Sequence, residues 1–247
     1  MIIKKTDAQV EIMRRAGKIV AETLSMLEKH IKPGILTEEL DKLAEDFILS
    51  SGARPAFKGY RGFPATACIS IDDEVVHGIP GKRVLMEGQI VSIDLGTIVD
   101  GYYGDAARTF PVGEITEEKR KLLEVTRRSL EAGIAQAKAG NRLGMVSSAI
   151  QQVAEGAGYS VVRELTGHGI GKVMHEDLLV PNYGSPAEGP VLEKGIVIAI
   201  EPMVNMGTYK VRTKPDNWTI VTADGQPSAH FEHTVAVTDN GPDVLTV

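Results

Sequence analysis

Ile90-Val91-Ser92-Ile93-Asp94-Leu95-Gly96-Thr97-Ile98-Val99-Asp100-Gly101-Tyr102-Tyr103-Gly104-Asp105-Ala106-Ala107-Arg108-Thr109-Phe110 is the stretch that decides the fold. Ile90 to Val99 is apolar and β-branched, which reads as a strand. Asp100-Gly101 is a two-residue hairpin turn signal, because both central positions of that turn need φ > 0. Tyr102 to Phe110 then returns as the partner strand. Pivoting on the turn, Val99 faces Tyr102 and Asp94 faces Ala107. Side chains repeat with period two, so Asp105 becomes the diagonal neighbour of Asp94 on one face. Such neighbours lie roughly 7–8 Å apart. Two carboxylates on an apolar hairpin repel each other and lack a partner. A cation between them is the simplest remedy.

Upstream, Thr6 with Gln9 forms a capping-box signal. Behind it Val10, Met13, Ala16, Val20, Leu24, Leu27 and Ile31 recur at helical spacing until Lys32-Pro33-Gly34 stops the helix. Thr37 reads as the cap of a second helix, with Leu40, Leu43, Ala44, Phe47 and Ile48 inward and Ser51-Gly52 at its end. Short strands and loops follow to Pro80. Downstream, Thr116 caps a long helix carrying Leu122, Leu123, Thr126, Leu130, Ile134 and Ala137, ended by Lys138-Ala139-Gly140. A fourth helix runs from about Leu143 to Ala157, and strands and loops continue to Val247.

The two halves match. Lys32-Pro33-Gly34 aligns with Lys138-Ala139-Gly140 at an offset of 106, and Gly88 to Asp94 aligns with Gly195 to Glu201 at an offset of 107. In the second match an acidic residue stands six positions after a glycine, at the far end of an apolar strand. A duplicated α+β unit with acids at equivalent places is expected. One domain over 1–247 follows, with pseudo-repeat halves of about 1–112 and 113–247.

Further metal-ligand candidates lie in the second half. Glu201 precedes Pro202, which pushes it into extended geometry at a strand end. Glu232 sits in the strand-like run His230-Phe231-Glu232-His233-Thr234-Val235-Ala236-Val237, and alternation turns it away from Phe231, His233 and Val235. His168 lies in Thr166-Gly167-His168-Gly169-Ile170-Gly171, where the glycines allow unusual torsions and close approach. His175 and His77 are further candidates. Asp94, Asp105, His168, Glu201 and Glu232 make four carboxylates and one imidazole, too much negative charge for one divalent ion. The set suits two ions bridged by carboxylates, drawn from Co, Mn, Fe or Zn. Ions so paired support metal-assisted hydrolysis.

Composition narrows the field. The 247 residues are 43% hydrophobic and 24% charged, enough for a substantial core. A formal charge of −6 gives no general support for nucleic-acid or anionic-membrane binding. Arg127-Arg128 reads as a solvated helix face. No apolar run follows Met1-Ile2-Ile3-Lys4-Lys5, so neither a signal peptide nor a membrane span is expected. Cys68 is the single cysteine, which points to a reducing cytoplasm.

At these residues the chain resembles the type I methionine aminopeptidases of the short bacterial form, over essentially its whole length. The ligand spacing, Thr166 to Gly171, Ile200-Glu201-Pro202-Met203, Val76-His77-Gly78-Ile79-Pro80 and Asp216-Asn217-Trp218-Thr219 carry the resemblance. It implies the α+β pita-bread fold, with pseudo-two-fold halves, outer helices and a curved antiparallel sheet holding the metals. It implies that Asp94 chelates one ion, that His168 and Glu201 hold the other, and that Asp105 and Glu232 bridge them. It implies removal of N-terminal methionine from nascent chains with a small second residue, by hydroxide activated between the ions. Glu201 is expected to shuttle the proton, His175 to contact the carbonyl oxygen and His77 to lie near the scissile amide. Tyr60, Phe63, Cys68, Met174 and Trp218 are expected to line the methionine pocket, with Phe57 as a further wall.

The resemblance also implies a monomer, transient ribosome association and a monovalent cation site. Three departures touch it. Tyr103 stands where the family more often has histidine, Leu178 replaces a frequent proline, and Asp72 occupies a common asparagine position near the monovalent site. The nearest rival is a proline-specific aminopeptidase or dipeptidase of the same fold. Those relatives usually carry a whole N-terminal domain, whereas about 90 residues precede Asp94 here. A non-catalytic binding protein on this fold would have lost ligands, and all five are present.

Overall fold

The computed structural model describes residues 2–247. Four helices, α1 (Asp7–Glu28), α2 (Thr37–Ser50), α3 (Glu117–Gln136) and α4 (Leu143–Gly156), cover strands whose pairings are all antiparallel among the described residues. The hairpin forms in the expected register. Ile90–Val99 pairs with Tyr102–Pro111, Asp94 opposite Ala107 and Val99 opposite Tyr102. Asp100 and Gly101 take φ of 48° and 79°, as the turn demands. Ala67–Ile71 adds to the other edge of Ile90–Val99 and sets Cys68 opposite Asp94.

In the second half Val197–Ile200 lies between Gly167–Gly169 and His233–Thr238. The helices bury their apolar stripes against these sheets. Leu24 and Leu40 join Ile69, Ile93 and Leu95 in one core, while Leu122, Leu130 and Ile150 join Ile198, Ile200 and Val235 in the other. A fully buried side chain of this size contributes about 1.5–3 kcal/mol, so Leu24→Ala would cost about 2–5 kcal/mol.

The duplication is visible in backbone hydrogen bonds. Gly34 N–H donates to the Leu85 carbonyl as Gly140 N–H does to Leu192, and Leu85 N–H donates to Ile35 as Leu192 N–H does to Asn141. Isolated bridges Leu36–Val84 and Arg142–Val191 repeat the same relation.

Two local readings are corrected. Thr37 does not cap α2. Leu36 holds the cap position without a side-chain bond, and the Thr37 hydroxyl instead donates to the Gly81 carbonyl and accepts the Gly81 N–H. A tertiary partner of two matched groups outcompetes the single local donor. The run from His230 to Val237 is also not one strand: Ser228–His230 ends at His230 and His233–Thr238 begins anew. Pro202, facing this break, has no N–H to continue the ladder. The Thr6–Gln9 capping box and the Thr116 cap form as expected.

Candidate active site

Every site residue expected from the sequence lines one cavity of about 160 Å³, Phe57 included, and Arg61 joins them. The two acids of the hairpin enter from the first half. Asp105 is held by Thr234, whose hydroxyl accepts the Asp105 N–H and donates to its carbonyl. The acids of the second half enter at the ladder break. Glu232 turns out of its strand there, and its N–H donates to the Ala107 carbonyl at 2.9 Å. The Glu201 carbonyl accepts from the Asn182 amide at 3.0 Å.

His168 owes its place to lack of space. A Cβ on Gly167 would lie 2.3 Å from the Ala199 carbonyl oxygen, and one on Gly171 2.4 Å from Glu176. None of Gly167, Gly169 and Gly171 has positive φ, so close approach rather than unusual torsion explains these glycines. The His168 Nδ1 hydrogen goes to the Gly169 carbonyl at 2.9 Å. A carbonyl only accepts, so Nε2 is left as a lone pair. It faces Asp105 at 3.8 Å and Glu201 at 3.7 Å.

The set is short of partners. Asp94 Oδ1, Asp105 Oδ1 and Glu232 Oε1 are buried without a hydrogen bond. Native structures rarely tolerate that, because an unmet buried acceptor costs about 1–3 kcal/mol and a charged one more. Burial, and then the neighbouring carboxylates, push Asp94, Glu201 and Glu232 well above the ordinary carboxylate range. Burial likewise raises Asp105 to about 7 and lowers His168 to about 4. One ligand atom each from Asp105, His168 and Glu232 lies within 4.8 Å of the others. Neutral imidazole and orphaned carboxylate oxygens are the donors a borderline divalent ion takes, so the residues fit such an ion.

His77 and His175 flank this cluster. His77 sits in the left-handed region at φ 58°, and a Cβ on Gly78 would come within 2.2 Å of the Ile69 carbonyl. His175 lies 4.2 Å, ring to ring, from His168, and its Nδ1 is 2.9 Å from the Tyr60 hydroxyl. Burial lowers His77 and brings His175 to about 3, so both are neutral.

The apolar end is formed by Phe57, Phe63, Cys68 and Met174, all buried, with Tyr60 and Trp218 packed against them. Asp216 accepts the N–H groups of Trp218 and Thr219 and the Thr219 hydroxyl, which fixes Trp218 edge-on to Phe63 at 5.1 Å. The loop carrying Met174 and His175 is anchored by Lys5, whose ammonium meets Glu176 at 2.6 Å with both side chains buried.

Sequence reasoning missed Lys5, Arg61 and His230. Only His230 had a signal, since alternation puts it on the Glu232 face. Of the departures, Tyr103 packs half-buried between two apolar clusters and Leu178 packs against the second core. Asp72 accepts from the Ile90 N–H and the Lys119 ammonium at 3.1 and 2.6 Å.

Comparison with known proteins places the chain. The model of metallopeptidase family M24 matches residues 11–239. A methionine aminopeptidase of Clostridium acetobutylicum is 59% identical over 100% of this chain and 99% of its own. The crystal structure of methionine aminopeptidase from Thermotoga maritima superposes with a TM-score of 0.98 at 47% identity, covering 100% and 99% of the two chains. The prolidase from Pyrococcus furiosus shares the fold at a TM-score of 0.81 and 25% identity, and only 65% of its length is covered.

Proposed function

The chain belongs to metallopeptidase family M24, among the short bacterial methionine aminopeptidases, and from that membership we propose that it removes methionine from nascent polypeptides whose second residue is small. The carrying observation is that an orphaned carboxylate–imidazole set and a neutral thioether-sized pocket share one cavity.

In this reading Asp94 would hold one divalent ion, His168 and Glu201 a second, and Asp105 and Glu232 would serve both. The chemistry supplied on binding would be a water brought toward neutral pKa and a polarised carbonyl. The remaining work falls to the chain. Methionine enters among Tyr60, Phe63, Cys68, Met174 and Trp218, with Phe57 behind. Donation from the Tyr60 hydroxyl to His175 Nδ1 puts the imidazole hydrogen on Nε2, where it meets the substrate carbonyl oxygen. His77 stands beside the scissile amide and, with the sheet, crowds any large second side chain. Glu201 takes a proton from the attacking water and returns it to the leaving amine.

The reading keeps a monovalent cation near Asp72, whose carboxylate also holds the Lys119 ammonium. Nascent substrates place the work in the cytoplasm, by a monomer of one domain with halves of about 1–112 and 113–247, in transient contact with ribosomes. No helix among the described residues is long and apolar enough to cross a membrane.

The test is kcat/KM for Met-Ala-Ser, Met-Trp-Ser and Ala-Pro-Ser, before and after chelation. Met-Ala-Ser should be cleaved best, and its cleavage should vanish with chelator and return with cobalt or manganese. Preference for Ala-Pro-Ser would move the chain to the proline-specific branch.

A further inference from the structure

His230 is 1% exposed, and neither ring nitrogen has a hydrogen-bond partner. A neutral imidazole carries one donor and one acceptor, so its burial without either is unusual. Its backbone is pinned to the hairpin: the Thr109 hydroxyl donates to its carbonyl at 2.8 Å and accepts its N–H at 2.9 Å. Held there, the ring faces Glu201, with Nε2 3.7 Å from Oε2. His168 faces the other oxygen, Oε1, at 3.7 Å. One carboxylate therefore lies between two imidazoles, one to each oxygen.

The two rings differ. His168 spends its Nδ1 hydrogen on the Gly169 carbonyl, which makes its Nε2 a lone pair. His230 Nδ1 meets no acceptor, so its hydrogen is free to sit on Nε2, toward the carboxylate.

We infer that His230 is a positioning residue: its Nε2–H donates to Glu201 Oε2 and so aims Oε1 at the ion shared with His168. The present separation exceeds hydrogen-bond length, and rotation about the broad terminal torsion of Glu201 closes it. The inference rests on the metal reading above. It differs from direct ligation, in which a His230 nitrogen would present a lone pair to the ion.

Cobalt(II) alone, without peptide, is the probe, read by titration calorimetry and by the visible spectrum of the bound ion. The variants are His230→Leu, His230→Gln, whose amide nitrogen falls near Nε2, and His230→Asn, whose amide falls near Nδ1. Leu and Asn should weaken one cobalt site, the one shared with His168, by about 10- to 100-fold and alter its spectrum, while Gln stays within about threefold of wild type. Should the Leu variant lose its folded circular dichroism, the Gln–Asn contrast alone decides. Wild-type affinity in all three variants would overturn the inference. So would loss of one ion in Gln and Leu alike, which makes His230 a ligand. A wild-type chain that binds no cobalt would overturn the metal reading and this inference together.

Discussion

Glu201 and Glu232 face each other across the gap in a ladder whose register never changes. Ile200 pairs with His233 before the gap and Met203 with His230 after it. Pro202 offers no N–H, and the Glu232 N–H has gone to Ala107 of the other half. Across the gap the Phe231 N–H still reaches the Pro202 carbonyl at 3.4 Å, so the ladder is thinned rather than broken, and both acids line the cavity.

Glu201→Gln tests the proton shuttle. General acid–base help is worth about 10²–10⁴-fold, so turnover should fall that far while peptide affinity, measured by inhibitor titration, changes little. A loss below about tenfold with metal still bound would assign the shuttle elsewhere.

Asp105→Asn tests the bridge. A carboxylate shared by two ions weakens both when neutralised, so metal analysis of the dialysed variant should show both stoichiometries reduced. One ion bound normally would make Asp105 a ligand to a single site.

His77→Ala and His175→Ala should keep their metal and lose rate. The informative readout is cobalt stoichiometry beside kcat/KM. Parallel loss of metal and rate in either variant would turn that histidine into a ligand.

Pocket chemistry predicts Met-Ala-Ser over Leu-Ala-Ser by about 10- to 200-fold in kcat/KM, since methylene-scale misfits cost about 1–3 kcal/mol. Thioether–aromatic contacts with Phe63, Tyr60 and Trp218 add about 0.3–1.5 kcal/mol for methionine. Equal rates on the two peptides would leave the metal chemistry and remove the pocket assignment.

Stability of metal-free protein should respond to pH in a definite direction. Asp94, Asp105, Glu201 and Glu232 have raised folded pKa values, so their contribution to stability is lost as pH rises from the unfolded carboxylate range through the folded pKa, about 7 for Asp105. His77, His168, His175, His230 and His233 have lowered folded values, so they oppose this until the unfolded histidines have lost their protons, about one unit above 6.5. Above about pH 7.5 the carboxylates outweigh them. Tm of chelated protein should therefore fall from about pH 7.5 to about 8.5, and added cobalt should flatten the slope. A chelated Tm independent of pH in that range would show the acids already compensated.

Periodicity and capping made the four helices and the hairpin legible, because those signals are local and the tertiary fold does not contest them. Thr37 was misread because its hydroxyl had a better offer from Gly81, invisible in the flanking residues. The acids and the imidazole that share the cavity were legible because charge inside apolar strands has few innocent explanations. Lys5 was not, since its partner Glu176 lies 171 residues away. The glycines around His168 read as allowing either unusual torsion or close approach, and only the second holds, toward the carbonyl of Ala199 and the side chain of Glu176.

The repeated hydrogen-bond frame makes this chain, in effect, a two-fold homodimer written as one polypeptide. In a true homodimer, equivalent positions are bound to carry the same residue. Joined in one chain, the copies are free to differ, and at the matched places one holds Asp94 and the other Glu201. That added methylene gives the two sides carboxylates of different reach. One carboxylate is held on a short side chain while the other has an extra torsion to move about, an inequality that perfect symmetry forbids.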